Sequence, residues 1–108
     1  MSNINTMIIF DKYECRRVKT MGRNAVVYTN EEWIDKEVCI IPLPIRINDR
    51  VIETYKTDDG HYELPLQVKE ILHKTMKGGG SVGRCYIPHR FIGFDMLIIE
   101  APTFDYFD

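Results

Sequence analysis

The chain repeats itself at a spacing of 58 residues, and this repeat constrains the fold more than any other feature. When residues 16–44 are aligned with residues 74–102, seven positions are identical, against about two expected from ordinary residue usage. The identical residues of the first copy are Lys19, Gly22, Tyr28, Ile34, Ile40, Ile41 and Pro44. Aromatic and apolar positions also coincide, since Trp33-Ile34 aligns with Phe91-Ile92. We therefore predict a single domain, residues 1–108, with a first repeat at 11–57 and a second at 61–108.

Length and composition exclude several classes of protein. A chain of 108 residues with 44% hydrophobic residues suits one small globular domain and is too short for a large catalytic one. The longest apolar run, Val38–Ile45, is far shorter than the roughly 20 residues that span a bilayer, so no membrane partner is expected. The N-terminus lacks a secretory pattern, and Cys15, Cys39 and Cys85 are an odd number at wide spacings. These features predict a cytoplasmic protein without disulfides.

Basic residues are concentrated in two segments of the chain. The net charge is -2 at pH 7, which by itself argues against a nucleic-acid-binding protein. Residues 12–23 and 69–90, however, together hold ten of the 14 lysines and arginines and only two of the 16 acidic residues. Because the bias recurs in both copies, it indicates a binding function slightly more than a merely solvated surface.

The first copy is predicted to form a hairpin, a short helix and a strand pair. We expect an extended segment at 12–20, a tight turn at 21–24 and a return strand at 25–28. Thr29 or Asn30 can cap a one-turn helix whose first turn contains Glu31 and Glu32. A buried strand is expected at 38–41, with 50–57 returning against it as a second strand.

The second copy follows the same order. We expect a turn at 78–83, a return strand at 85–87, a short helix that starts at Pro88 and ends at Gly93, and a strand at 96–99. Asp58-Asp59-Gly60 predicts the turn between the copies, and Met7–Phe10 predicts an additional N-terminal strand. The fold class is therefore mainly β with two very short helices.

The segment Tyr86-Ile-Pro-His-Arg-Phe-Ile-Gly93, which follows a glycine-rich turn, resembles the AbrB-type swapped-hairpin family. It is more similar still to short archaeal proteins described as transposon-encoded. The match covers roughly 12–44 and 74–102. It departs from the family pattern in the first copy, where Asn30 stands for Pro88 and Asp35 for Gly93.

The resemblance implies two tandem AbrB-like repeats that form one pseudo-two-fold β-barrel, as a monomeric pseudo-dimer or a homodimer. It also implies binding of double-stranded DNA by a transcriptional regulator or mobile-element accessory factor. The residues that fall on the family's DNA-binding strand and turn are Arg16, Arg17, Lys19, Arg23, Lys74, Lys77 and Arg84.

Other sequence patterns give weaker predictions. Gly78, Gly80 and Gly83 match the dinucleotide fingerprint, but they follow a polar segment and precede Pro88, so a hairpin turn is favoured. The cysteines and histidines form no Cys-x-x-Cys pair, and only Cys85 and His89 are close in sequence, so neither a metal nor a cofactor is expected. No nucleophile motif or catalytic carboxylate pair is visible, which predicts a protein that is not an enzyme.

The C-terminal tail, residues 103–108, is both acidic and aromatic. The simplest interpretation is a closing edge strand. The alternative is a docking segment for a protein partner, like the acidic tails of AbrB-type antitoxins. The chain would then be a protein-interaction module that keeps the scaffold without binding DNA.

Overall fold

Short alternating and apolar segments fold into eleven strands, one α-helix and two 3₁₀ turns in the computed structural model, which describes residues 5–107. The strands are β1 (Asn5–Phe10), β2 (Tyr13–Arg17), β3 (Lys19–Met21), β4 (Asn24–Asn30), β5 (Glu37–Pro42), β6 (Tyr62–Leu66), β7 (Leu72–Thr75), β8 (Lys77–Gly79), β9 (Val82–Ile87), β10 (Asp95–Glu100) and β11 (Thr103–Phe107). The 3₁₀ turns are Glu31–Trp33 and His89–Phe91, and the helix is α1 (Asp49–Glu53). The prediction of a mainly β chain is confirmed. No helix in the described residues is long and apolar enough to cross a membrane.

The strands form three antiparallel sheets. The terminal sheet has the order β11-β1-β6, the central sheet β2-β10-β5-β7, and the hairpin sheet β3-β4-β9-β8. The expectation of one closed barrel is therefore wrong for residues 5–107. The ladders are interrupted at Val18 and Met76, whose amides donate to the carbonyls of Phe94 and Lys36 at 2.9 Å. At these two buried residues the chain leaves the central sheet and enters the hairpin sheet.

Strand positions and pairings recur at the 58-residue spacing. The series β2 to β5 and the series β7 to β10 have the same order, and each includes a 3₁₀ turn. The two series pair with each other, since β10 pairs with β2 and β5 with β7. In the two middle ladders, Val27 lies opposite Cys85 and Ile40 opposite Ile98, residues that are themselves 58 apart. Equivalent residues of the two strand series therefore lie opposite each other, as in a two-fold arrangement.

The two middle strands of the central sheet, β5 and β10, are buried on both faces, which explains their continuous apolar runs. Ile40 and Ile98 belong to a first core cluster between the central and hairpin sheets. Ile41 and Leu97 belong to a second cluster, which includes residues of the terminal sheet and α1. The predicted buried strand at 38–41 is confirmed, since all four of its residues are buried. Trp33, Phe91, Cys85 and the isoleucine pair at 98–99 are buried as well.

Residues 50–57, expected as a strand, instead contain most of a helix. The Asn48 side chain accepts a hydrogen bond from the Val51 amide at 3.2 Å and caps α1. Asp49 lies in the first turn, where the helix dipole favours an acid. Ile52 is fully buried in the second core cluster. The cap and this single buried contact favour a helical turn over a strand.

Both hairpin turns of the hairpin sheet are two residues long. Gly22-Arg23 connects β3 to β4, and Gly80-Ser81 connects β8 to β9. Gly22 and Gly80 have φ values of 61° and 78°, which suit glycine. The expected long turn at 78–83 is therefore wrong, because its first two residues lie in β8 and its last two in β9. The glycine fingerprint is part of a hairpin, as predicted.

Candidate nucleic-acid interface

The hairpin sheet presents a face on the side away from the first core. Ala25, Val27, Cys85 and Ile87 belong to that core. Because side chains alternate along a strand, their neighbours point to the opposite side of the sheet. We call the following residues the outer face: Lys19, Val26, Tyr28, Lys77, Arg84 and Tyr86. Val26 is itself fully buried, so the accessible part of this face is formed by the other five residues.

Cross-strand register arranges the outer face in two rows. Val26 lies opposite both Lys19 and Tyr86. Arg84 lies opposite both Tyr28 and Lys77. Each row therefore begins with a lysine on an edge strand and includes one tyrosine on a middle strand.

The outer face carries positive charge without compensating acids. The strands β3, β4, β8 and β9 contain Lys19, Lys77 and Arg84 but no aspartate or glutamate. None of these three cations forms an ion pair within residues 5–107. Lys19 and Lys77 are exposed, and Arg84 is half-buried. Three cations on one small face attract anions such as phosphates.

The Arg84 side chain lies between the Tyr86 ring and the backbone of β8. Its guanidinium carbon lies 5.6 Å from the centre of the Tyr86 ring, within the range of a cation–π contact. On the adjacent strand, a Cβ added to Gly79 would lie 3.6 Å from the same carbon. The missing side chain at Gly79 therefore leaves room for the guanidinium to lie over β8.

The two ends of the hairpin sheet differ in charge. At the β3–β4 turn the exposed Arg23 forms no ion pair within residues 5–107. At the β8–β9 turn, Ser81 shares a groove of about 480 Å³ with Glu31 and Glu32. A polyanion on the outer face therefore meets attraction at the Arg23 end and repulsion at the Ser81 end.

Arg16 and Arg17 lie on β2, beside the outer face, and both are paired. The Arg16 Nε lies 2.9 Å from Glu14 Oε2, and the Arg17 Nε lies 3.1 Å from Asp95 Oδ1. The hydrogen bond to Asp95 raises the pKa of the Arg17 guanidinium. Both arginines line a groove of about 280 Å³ together with Lys19 and Tyr28. They extend the basic surface, but their charge is partly neutralised.

Lys74 lies on the central sheet. It is exposed on β7, opposite Val38, and lines a groove of about 460 Å³ with Cys39 and His73. Of the seven predicted residues, the structure thus brings Lys19, Lys77 and Arg84 onto one face. It places Arg23 at the turn of that sheet and Arg16 and Arg17 beside it, whereas Lys74 lines a different groove.

The cysteines do not build a metal centre in the described part of the chain, where no three His, Cys, Asp or Glu side chains are grouped. Cys85 is buried in the first core, and its thiol donates to the Tyr86 carbonyl at 3.7 Å. Cys39 Sγ lies 3.6 Å from His73 Nδ1, the one close Cys–His contact in residues 5–107. Burial raises the pKa of the Cys39 thiol, which keeps it protonated and weakly nucleophilic.

The tail forms the edge of the terminal sheet, as its simplest interpretation predicted. β11 pairs with β1 from Asn5↔Phe107 to Ile9↔Thr103. Phe104 packs against the second core cluster. Asp108 and the side chains of Tyr106 and Phe107 lie outside the described residues. The described tail is therefore part of the fold.

Sequence reasoning missed the two tyrosines of the outer face. Tyr28 and Tyr86 were assigned to return strands without a role, because their common direction depends on the β4–β9 register. The repeat did contain a signal, since these tyrosines are aligned at the 58-residue spacing and alternate with core residues.

Comparisons with protein-family models, with curated proteins and with solved structures found no match to this chain.

Proposed function

We propose that this protein binds DNA through the outer face, as a transcriptional regulator or an accessory factor of a mobile element. The observation that carries this proposal is the combination of Lys19, Lys77 and Arg84 on strands that contain no acid, with no ion pair for any of them in residues 5–107. Cations that form no ion pair with a carboxylate are available for phosphates.

The arrangement of the strands supports an AbrB-type swapped-hairpin scaffold as part of this proposal. The two strand series exchange partners, β5 with β7 and β10 with β2. Their register has the two-fold character expected of two copies within one chain. On this proposal the chain is a monomeric pseudo-dimer of two repeats, although its sheets do not close into a barrel.

The spacing of the cations suits duplex DNA. Lys19 and Lys77 lie on opposite edges of a four-stranded sheet, three interstrand spacings or about 14 Å apart across the strands. The major groove is about 12 Å wide, so two lysines at this separation can contact phosphates on both sides of it. Such contacts give affinity without sequence information.

Substitution of the two edge lysines tests the proposal. Lys19→Ala/Lys77→Ala should weaken binding to a labelled duplex and lower the slope of log affinity against log salt by about two. The control Arg46→Ala/Lys69→Ala removes the same charge at exposed positions that form no ion pair in residues 5–107. Fluorescence anisotropy at several salt concentrations measures both. Equal losses in the two variants would show that net charge, and not the outer face, controls binding.

The alternative function is a protein-interaction module, and the edge position of β11 favours it. Deletion of residues 103–108 would also remove Phe104 from the second core, so it does not separate docking from folding. Absence of binding to both duplex and single-stranded DNA at low salt, in a folded protein, would favour this alternative.

A further inference from the structure

The outer face also carries two tyrosines, and cations alone do not explain them. Tyr28 lies opposite Arg84, and Tyr86 lies two residues farther along β9. Side chains in this diagonal relation are about 7–8 Å apart. The outer face therefore presents two neighbouring aromatic rings between its edge lysines.

Neither tyrosine belongs to the described core clusters. Tyr86 is 46% exposed, and one side of its ring is near the Arg84 guanidinium. Tyr28 is half-buried, and its hydroxyl donates to Met21 Sδ at 3.0 Å, which fixes the direction of the ring. Tyr86 therefore offers an exposed ring on β9, and beside it the ring of Tyr28 is oriented by its hydrogen bond to Met21.

The width of the hairpin sheet determines what these rings can reach. The major groove of a duplex accommodates a helix or a two-stranded ribbon. A four-stranded face, about 14 Å from edge to edge, is wider than that groove and lies across it. On a duplex, Tyr86 in a middle strand is therefore kept from the bases, which remain stacked inside. Unpaired bases have no such constraint and can stack on aromatic rings and on arginine.

We propose that the outer face binds single-stranded nucleic acid in preference to duplex. This inference rests on the proposed function and specifies its substrate. One base stacks on Tyr86 and Arg84, and a neighbouring base contacts Tyr28. Lys19 and Lys77 contact the backbone on either side, and the strand extends toward Arg23 and away from Glu31 and Glu32.

Competition between strand forms tests the preference directly. The probes are a labelled mixed-sequence DNA oligonucleotide without self-complementarity, the duplex of the same sequence, and the corresponding single-stranded RNA. The intact protein should bind the single strands more tightly than the duplex at equal salt. The difference between DNA and RNA reports whether the 2′-hydroxyl is read. Duplex binding as tight as single-strand binding would overturn the inference.

Substitution of Tyr86 tests the stacking. Tyr86→Ala should weaken single-strand binding by about 5- to 150-fold, the usual range for loss of one stacked base, and weaken duplex binding by a clearly smaller factor. Tyr55→Ala, at a tyrosine 39% exposed outside the hairpin sheet, is the matched control and should change neither affinity. Tyr86→Trp keeps an aromatic ring and should retain single-strand binding even if the alanine variant folds poorly. Loss with tryptophan equal to that with alanine would contradict stacking.

The outcomes separate the two proposals. If Lys19→Ala/Lys77→Ala weakens duplex binding while Tyr86→Ala leaves single-strand binding unchanged, the DNA-binding function stands and the single-strand preference fails. If the folded protein binds neither form at low salt, both proposals fail.

Discussion

At the scale of single residues, the positions that are equivalent in the two repeats but differ in identity are the most informative. Asp35 and Gly93 are 58 residues apart and both have positive φ, 68° and 86°. The Asp35 amide donates to the Met76 carbonyl, and the Gly93 amide donates to the Val18 carbonyl. Both turns therefore connect one strand series to the other. The first repeat thus holds a non-glycine residue in the left-handed region, which costs free energy.

This asymmetry predicts the effect of exchanging the two residues. A Cβ added at Gly93 would contact nothing within 4 Å, so Gly93→Asp imposes only the backbone cost, about 1 kcal/mol of unfolding free energy. Asp35→Gly should be neutral or stabilising by less than that amount, because glycine also gains freedom in the unfolded chain. Urea denaturation measures both. An unchanged midpoint for Gly93→Asp would contradict the proposed backbone strain.

At the scale of elements, the short helix α1 connects two sheets through one carboxylate. Glu53 Oε2 accepts hydrogen bonds from the hydroxyls of Tyr13 on β2 and Tyr62 on β6, at 2.5 and 2.7 Å. The rings of both tyrosines also pack against Phe10. Hydrogen bonds from the tyrosines lower the pKa of Glu53 from its usual 4.5.

The lowered pKa of Glu53 predicts how the free energy of unfolding changes with pH. The stabilisation by Glu53 is fully present above pH 4.5 and is lost as the pH falls through the lower pKa of the folded state. Glu53→Gln should therefore lose more stability relative to the parent at about pH 7 than at about pH 3. Glu31→Gln, at an exposed carboxylate, controls for the loss of one negative charge. Denaturation midpoints at the two pH values measure the difference. A Glu53→Gln penalty that is independent of pH would contradict the carboxylate's role.

At the scale of the whole molecule, the three sheets place the two cores and the proposed binding face on different strands. The middle strands of the central sheet are buried on both faces and supply apolar residues to both cores. The hairpin sheet covers one side and exposes a face without acids, although the chain has a net charge of -2. Because electrostatic attraction at short range depends on the nearest charges, the local excess of cations controls the approach of a polyanion.

The sequence predicted those parts of the fold that follow the repeat. Patterns that are local or appear twice located the turn at Gly22, the end of the short helix at Gly93 and the buried strand at 38–41. Helix α1 was missed because it lies where the repeat gives no second example, and a single cap at Asn48 defines it. The separation into sheets depends on long-range hydrogen bonds at Val18 and Met76, which leave no mark in the local sequence.

The candidate site was predictable in its charges but not in its geometry. Charge clustering together with the resemblance to the AbrB-type family identifies Lys19, Lys77 and Arg84, whereas their common face depends on the register of four strands. Arg16 and Arg17 form ion pairs, so these two predicted residues are less available for phosphates. The Arg17 pair joins residues 78 positions apart, a contact that only the fold creates.

The most direct test of the central claim is the salt dependence of binding to a labelled random-sequence duplex. Four phosphate contacts, from Lys19, Arg23, Lys77 and Arg84, predict a slope of log affinity against log salt of about -3 to -4. Affinity should then fall about 100-fold between about 50 and about 200 mM salt. No binding by the folded protein at the lowest salt, or binding that does not change with salt, would contradict a phosphate-binding outer face.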